Sequence, residues 1–300
     1  MGTSASKAKG EFADWHAIAA ALAQRVARSQ PSARPRIIGI AGSQGSGKST
    51  LARIVVEHFR EQGISATSVS LDDFYLTQAE RVALANAVHP LLRTRGVPGT
   101  HDTGWLGRVV TSMQGQDGQQ QVELQLPEFD KGRDDRAGQR NVSCELLVLE
   151  GWCLGVSAQP AGQLREPINA LERQEDGDGV WRTWVNEQIA LHYQPLWQQV
   201  DYWLQLRSPS FAQVVQWRGE QEQQIAPAQR MDAVALQRFI DHYQRLTQWQ
   251  WDGPVLGPGL AVSLAADHCV SKVVEVSPET TDSGWSRKSV RFSHRSYKQR

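Results

Sequence analysis

The spacing of apolar and polar residues divides the chain into an N-terminal helix and a longer alternating region. From Ala13 to Ala27, apolar residues recur at helical spacing, which predicts an amphipathic helix that packs on a neighbouring domain. Its apolar face carries Trp15, Ile18, Leu22 and Val26. From Arg36 onward, short apolar runs alternate with helical stretches, a pattern typical of a parallel sheet with crossover helices.

Five apolar runs predict five strands of this sheet. They are Ile37 to Ala41, Ser68 to Leu71, Leu146 to Leu149, Tyr202 to Leu206 and Leu260 to Ala265. The stretches Gln114 to Gln121 and Asp130 to Arg140 are too polar to be buried, so we predict loops or a lobe above the sheet. A second polar insertion, Gln159 to Gly179, precedes a tryptophan-rich helical stretch, Val180 to Val200, whose indoles we expect in core or lid contacts. The expected fold is α/β, a doubly wound five-stranded parallel sheet with a helical lid and insertions.

Composition suggests the limits of the domain and its surroundings. We predict a tail and helix over 1–35, one domain over 36–275, and a disordered basic tail over 276–300, where no periodicity is found. Lys plus Arg and Asp plus Glu number 32 each, so no global charge draws the chain to nucleic acid or an anionic membrane. The three cysteines lack disulfide or metal spacing, and neither a bilayer-spanning run nor a secretion signal is found. We therefore predict a cytoplasmic protein.

A glycine-rich segment after the first predicted strand carries the strongest chemical signal. Gly42 to Ser49 reads GSQGSGKS and fits GxxxxGK[ST], the phosphate-binding loop (P-loop) of NTPases, with a helical pattern directly behind it. Backbone N–H groups and the helix N-terminus would bind the phosphates of ATP, Lys48 would reach the β- and γ-phosphates, and Ser49 would coordinate Mg²⁺. The predicted nucleotide-binding residues are Gly42, Ser43, Gln44, Gly45, Ser46, Gly47, Lys48, Ser49 and Thr50. Neither an NKxD nor an LSGGQ segment is present, which argues against a GTPase and a transport ATPase.

Acidic residues end two of the predicted strands, at the sheet edge where doubly wound folds bind ligands. Asp72 and Asp73 follow the second strand, and we predict Asp72 as the base that accepts a hydroxyl proton, with Asp73 as a cap or supporting ligand. Both acids could instead cap a helix. Glu150 closes the third apolar run in the manner of a Walker-B segment, which predicts a Mg²⁺ site, although a buried strand can also end in a plain surface charge.

Several longer segments carry a more specific resemblance. They are Asp72 to Thr77, His89 to Asp102, Leu126 to Lys131, Asp135 to Ala137, Glu150 to Gly155 and Gln216 to Glu220. In this order they resemble the motifs of the plant and cyanobacterial D-glycerate 3-kinase family, which is related to uridine kinases, phosphoribulokinases and pantothenate kinases. The resemblance extends from about Arg36 to His268 and implies ATP- and Mg²⁺-dependent phosphorylation of the 3-hydroxyl of D-glycerate. It also implies Asp72 as the base and Glu150 as the magnesium-site acid.

A glycerate pocket needs a fixed cation for the carboxylate of the substrate. The candidates in the family-like segments are Arg95, His101, Lys131 and Arg136, each of which could also be a solvated surface charge. Arg218 lies where related kinases carry a lid arginine that closes over the transferring phosphate, and the alternative is a salt-bridged surface helix. Two other functions stay open: a kinase for a sugar, nucleoside or pantothenate-like acceptor, and a P-loop regulatory ATPase.

Overall fold

The structure is a computed structural model that describes residues 13–28, 34–114, 121–223, 230–253 and 256–276. Its helices are α1 (Ala13–Arg28), α2 (Lys48–Glu61), α3 (Gln78–Ala87), α4 (Thr103–Gln114), α5 (Ala170–Glu175), α6 (Val180–Gln188), α7 (Gln194–Trp197), α8 (Phe211–Gln223) and α9 (Ala233–Asp252). Its strands are β1 (Ile37–Ala41), β2 (Ala66–Ser70), β3 (Val122–Asp130), β4 (Asp135–Cys144), β5 (Leu146–Gly151), β6 (Tyr202–Arg207), β7 (Gly259–Leu264) and β8 (Val270–Val276). Short 3₁₀ helices lie at Leu71–Phe74, Pro90–Arg93 and Ala161–Leu164, and a π-helical segment at Ile189–Tyr193. The predicted basic tail falls outside the described residues apart from Val276.

The central sheet has six strands in the order β2-β5-β1-β6-β7-β8. The first five are parallel and correspond to the five predicted strands, so the predicted α/β class is confirmed. The sixth, β8, pairs antiparallel with β7 at the sheet edge and was not predicted. Its sequence, VSKVVEV, mixes polar with apolar positions because an edge strand is half exposed. The carboxyl ends of β1, β2 and β5 meet at one edge and bring their following residues together.

The charged segment predicted as a loop or lobe is a two-stranded antiparallel hairpin, formed by β3 and β4. In β3 the residues alternate between buried and exposed, with Val122, Leu124 and Leu126 pointing into the domain. Only Cys144 of β4 is buried and half of the strand is exposed, which explains its polar composition. Pairing satisfies the backbone groups on the facing sides of the two strands and needs no burial of their side chains, so a polar segment can still be a strand.

Two cores cover the two faces of the sheet. Alternate positions of β1 point to opposite sides: Ile38 and Ile40 join a core with α1 and α2, whereas Ile37 joins the other. The predicted face of α1 packs into the first core, where Trp15 is only 1% exposed. Trp197 is fully buried in the second core, in agreement with a packing role. Among the described helices, none is long and apolar enough to cross a membrane.

Candidate active site

The P-loop runs between β1 and α2 and contains two glycines with left-handed backbone. Gly45 has φ 75° and Gly47 has φ 87°, conformations that favour glycine. A Cβ atom at Gly47 would lie 2.3 Å from the ring of Trp15, and one at Gly45 would lie 2.5 Å from Cβ of Trp217. Two tryptophans, one from α1 and one from α8, therefore pack directly against the loop.

The side chains of the loop curl over its own backbone. Ser46 Oγ donates to the Ser43 carbonyl at 2.8 Å, and Lys48 Nζ donates to the same carbonyl at 3.0 Å. Burial lowers the pKa of Lys48, while the nearby carboxylates of Glu150 and Asp72 act in the opposite direction. The lysine is thus a half-buried cation at the N-terminus of α2, where a phosphate group is favoured.

The strand register places Glu150 next to the loop. Glu150 on β5 is the register partner of Ile40 on β1, one residue before the end of that strand. Its side chain is nearly buried, and its Oε1 accepts a hydrogen bond from Ser49 Oγ at 2.8 Å. The two oxygen donors predicted from the sequence for Mg²⁺ are therefore adjacent in space.

Asp72 and Asp73 have different environments on the 3₁₀ helix that follows β2. Asp73 completes a capping box at this helix. Its carboxylate accepts a hydrogen bond from the Ser70 N–H, and the Ser70 hydroxyl accepts one from the Asp72 N–H. Asp72 points into the cavity, where it accepts hydrogen bonds from Tyr75 Oη at 2.9 Å and Lys131 Nζ at 2.6 Å. Asp73 therefore caps the 3₁₀ helix, whereas the carboxylate of Asp72 lines the cavity.

The charge state of Asp72 follows from its neighbours. Burial acts to raise the pKa of this carboxyl, but the ammonium groups of Lys131 and Lys48 and the hydroxyl of Tyr75 outweigh it. Its net pKa lies below the usual value, so Asp72 is ionised near neutral pH. Burial acts to lower the pKa of Lys131, but the carboxylates of Asp72 and Glu150 outweigh it and the net pKa is raised.

These side chains line one cavity of about 360 Å³, a size typical of small-molecule sites. It collects most of the residues predicted from the sequence, namely Gln44, Gly45, Lys48, Ser49, Asp72, Arg95, Lys131, Glu150 and Arg218. Sequence reasoning did not assign roles to its other lining residues, Tyr75, Trp152, Gln221, Phe239 and Tyr243. Tyr75 and Trp152 lie inside the family-like segments, which was a usable signal. The residues of α9 reach the cavity through long-range packing, for which the sequence holds no signal.

Two of the four predicted substrate cations lie outside the lining of this cavity. His101 is buried behind Tyr75, with ring centroids 4.6 Å apart, and its Nδ1 lies 2.8 Å from Tyr193 Oη. Burial lowers its pKa to about 4, so it is neutral near pH 7. Arg136 donates to the Tyr75 carbonyl at 3.3 Å and pairs with Asp102 at 3.5 Å. Both side chains contact the segment around Tyr75 or its neighbours and do not line the cavity.

Arg218 lines the cavity from α8. Its guanidinium pairs with Glu222 at 2.7 Å and lies over the ring of Phe239, 5.5 Å from the centroid. The ion pair on one helix matches the structural alternative considered for this arginine, yet the side chain is only 15% exposed and lines the same cavity as Lys48. Arg218 therefore forms an ion pair within α8 and also lines the cavity next to the P-loop.

A mostly parallel sheet with a strand, a P-loop and a helix in that order, with acids after β2 and near the end of β5, is the arrangement found in P-loop kinases. Residues 37–91 match the model of the phosphoribulokinase/uridine kinase family. The chain is 32% identical over 229 residues to the uncharacterized kinase mug58 of Schizosaccharomyces pombe, a match that covers 71% of this chain and 80% of that protein. The chain therefore belongs to the phosphoribulokinase/uridine kinase family.

Two further proteins are similar to it. The chloroplastic D-glycerate 3-kinase of Arabidopsis thaliana is 26% identical over 199 residues, which cover 63% of this chain and 41% of that enzyme. The structure of D-glycerate 3-kinase from Cryptococcus neoformans var. grubii superposes with a TM-score of 0.66 at 24% identity and covers 92% of this chain and all of that one, so it has the same fold. The protein is thus an ATP-dependent phosphotransferase that acts on an alcohol group of a small molecule.

Proposed function

We propose that the protein transfers the γ-phosphate of ATP to the 3-hydroxyl of D-glycerate and forms 3-phosphoglycerate. The observation that carries this proposal is the pair of cations, Arg95 and Lys131, that line the cavity beside Asp72. D-Glycerate offers a carboxylate for these cations and a primary hydroxyl for Asp72. The relatives named as D-glycerate 3-kinases support the same acceptor.

The proposed reaction is an in-line displacement at phosphorus. The 3-oxygen of glycerate forms a bond to the γ-phosphorus, the bond from that phosphorus to the β–γ bridging oxygen breaks, and ADP leaves. The proton of the hydroxyl passes to the ionised carboxylate of Asp72. Lys48 and Arg218 place positive charge around the transferring group, where negative charge is spread over the oxygens in the transition state.

The residues at the loop fit a magnesium ion. Mg²⁺ is bound by oxygen, with one or two protein donors completed by phosphate oxygens and water. The Ser49 hydroxyl and the Glu150 carboxylate, 2.8 Å apart, provide such a pair next to the phosphate site. When bound, the ion would neutralise charge on the β- and γ-phosphates. We include ATP and Mg²⁺, with Ser49 and Glu150 as the metal-site residues, in the proposal.

The acceptor end of the cavity is built by a different part of the chain. Arg95 follows the 3₁₀ helix Pro90–Arg93, and Lys131 begins the turn of the hairpin. The Arg95 guanidinium lies 5.7 Å over the ring of Phe129, and its Nη2 is 3.4 Å from the Lys131 carbonyl. A planar guanidinium beside an ammonium matches a carboxylate, because the first can bind two oxygens in parallel.

A panel of acceptors tests the proposal. ADP release is measured with D-glycerate, L-glycerate, uridine, pantothenate and ribulose 5-phosphate, and in the absence of an acceptor. We expect D-glycerate to give the highest kcat/KM. A clear preference for another acceptor would refute D-glycerate as the substrate but not the kinase activity. ADP release that no acceptor raises would favour a regulatory ATPase.

A cytoplasmic location, predicted from the sequence, stays part of the proposal.

The pH dependence of the reaction tests the place of Lys131. Because Lys131 holds the pKa of Asp72 down, Lys131→Met should raise that pKa, and the base is then protonated at a higher pH. Activity is lost as the pH falls through the pKa of a base, so we expect the acidic limb of kcat/KM, measured at saturating ATP, to move to higher pH. Lys131→Arg keeps the charge and should leave the limb near its wild-type position. An unmoved limb in Lys131→Met would contradict the pairing with the base.

A further inference from the structure

The turn between β3 and β4 carries Lys131 and has a shape of its own. Asp130 Oδ1 accepts the backbone N–H groups of Gly132 at 2.8 Å and Arg133 at 3.1 Å. Asp134 ends the turn with φ 55°, in the left-handed region that aspartate enters more readily than most side chains. The turn therefore has a defined conformation. Its position relative to the domain depends on the contacts between the turn and other segments.

Asp134 makes that connection through two arginines from outside the hairpin. Its Oδ1 lies 2.9 Å from Arg81 Nη2 and also accepts a short hydrogen bond from Arg95 Nη1. Its backbone carbonyl also accepts a hydrogen bond from Arg81 Nη2, at 2.7 Å. The Arg81 side chain is 1% exposed, whereas Arg95 lines the cavity. One carboxylate therefore joins a buried arginine to an arginine of the acceptor end.

The other donors of Arg81 fix the same region. Nη1 donates to the Arg93 carbonyl at 2.9 Å, two residues before Arg95, and Nε donates to the Leu76 carbonyl at 3.2 Å, near the start of α3. A buried guanidinium is stable only when its charge is paired and its N–H groups are bonded. Arg81 is thus a rigid anchor, and Asp134 transmits its position to Arg95 on one side and to the turn on the other.

We propose that Asp134 is a positioning residue for the acceptor pocket: it sets the places of Arg95 and Lys131 relative to Asp72 without touching the substrate. This inference rests on the proposed function, in which Arg95 and Lys131 bind the carboxylate of the acceptor. Charged groups that hold a small substrate must be accurately placed, because a displacement of about 1 Å can lower catalytic efficiency by up to ~10²-fold.

The first experiment compares Asp134→Asn with Asp135→Asn in steady-state kinetics. Asp134→Asn removes the charge shared by the two arginines but tolerates the left-handed backbone. We expect KM for D-glycerate to rise about tenfold, with KM for ATP changed by less than about twofold. Asp135 is the matched control, since its carboxylate accepts backbone N–H groups of Gln78 and Arg136, and we expect both KM values to stay near wild type. Equal changes in both KM values of Asp134→Asn would overturn the proposal.

A second variant covers the case in which Asp134→Asn does not fold. Removing the carboxylate leaves the buried charge of Arg81 unpaired, which is strongly destabilising. Asp134→Glu keeps the charge and moves it by one methylene group, so we expect a folded protein with the same selective rise in KM for D-glycerate. A folded Asp134→Glu variant with wild-type KM would overturn the positioning role.

A double-mutant cycle with Arg95→Ala separates this inference from the proposed function. If Asp134 acts through Arg95, the double variant raises KM for D-glycerate by less than the product of the two single effects. If the two single effects on KM for D-glycerate multiply fully in the double variant, the inference is overturned. It is also overturned if Arg95→Ala raises this KM and Asp134→Asn leaves it unchanged. A wild-type KM in Arg95→Ala would instead refute the acceptor site of the proposed function, on which the inference depends.

Discussion

Asp72→Asn should lower kcat by about 10²-fold or more while ATP still binds, because positioned acid–base groups contribute about 10²–10⁴-fold to proton-transfer rates. The amide keeps the size of the side chain and removes its basicity. Asp72 is the ionised carboxylate that faces the cavity, bonded to Tyr75 and Lys131. Turnover with D-glycerate and ATP, together with calorimetric binding of a non-hydrolysable ATP analogue, measures chemistry and binding separately.

Asp73→Asn is the matched control for that experiment. The Asp73 carboxylate accepts the Ser70 N–H in the capping box, and the oxygen of an asparagine can accept the same hydrogen bond. We expect kcat of this variant within about threefold of wild type, since the cost of a changed cap is about 1 kcal/mol of stability. A larger loss in Asp73→Asn than in Asp72→Asn would show that the base is the neighbouring residue.

The second large effect is expected for Lys48→Ala, which should lower kcat by about 10³-fold, the upper range for loss of one preorganised group that stabilises transition-state charge. Lys48 is the half-buried cation of the P-loop, and alanine leaves the loop backbone and its glycines unchanged. Lys272→Ala, a lysine exposed on β8, is the control and should retain wild-type turnover. Far-ultraviolet circular dichroism confirms that both variants are folded. Turnover of folded Lys48→Ala within tenfold of wild type would contradict the P-loop assignment.

The nucleotide side of the site could be predicted because each of its parts carries a local sequence pattern. Gly42 to Ser49 form one continuous segment whose spacing is set by the geometry of a phosphate cradle, and Glu150 ends an apolar run that is typical of a central strand. The parallel strands were predictable for the same reason, as both faces of β1 and β5 are buried and read as unbroken apolar runs.

The acceptor side depends on contacts between distant segments. Arg95 and Lys131 were candidates together with His101 and Arg136, and charge alone could not rank them. Tyr75 made the difference, because it occupies the cavity wall and covers His101 by ring stacking. The edge strand β8 and the strand β4 carry weak apolar patterns, because most of their residues are exposed or half-buried.

The tryptophans against the P-loop have a consequence for the order in which the protein matures. Trp15 is synthesised before the loop, but Trp217 follows much later in the chain, and its indole donates to the Ala266 carbonyl at 2.9 Å and stacks on His268 at 4.3 Å. A nascent chain that has exposed only Gly45 and its neighbours at the ribosome lacks α8 and the residues behind it. Domains form as units during synthesis. The contact between Trp217 and the P-loop can therefore form only after α8 and the residues behind it have been synthesised, long after the loop itself.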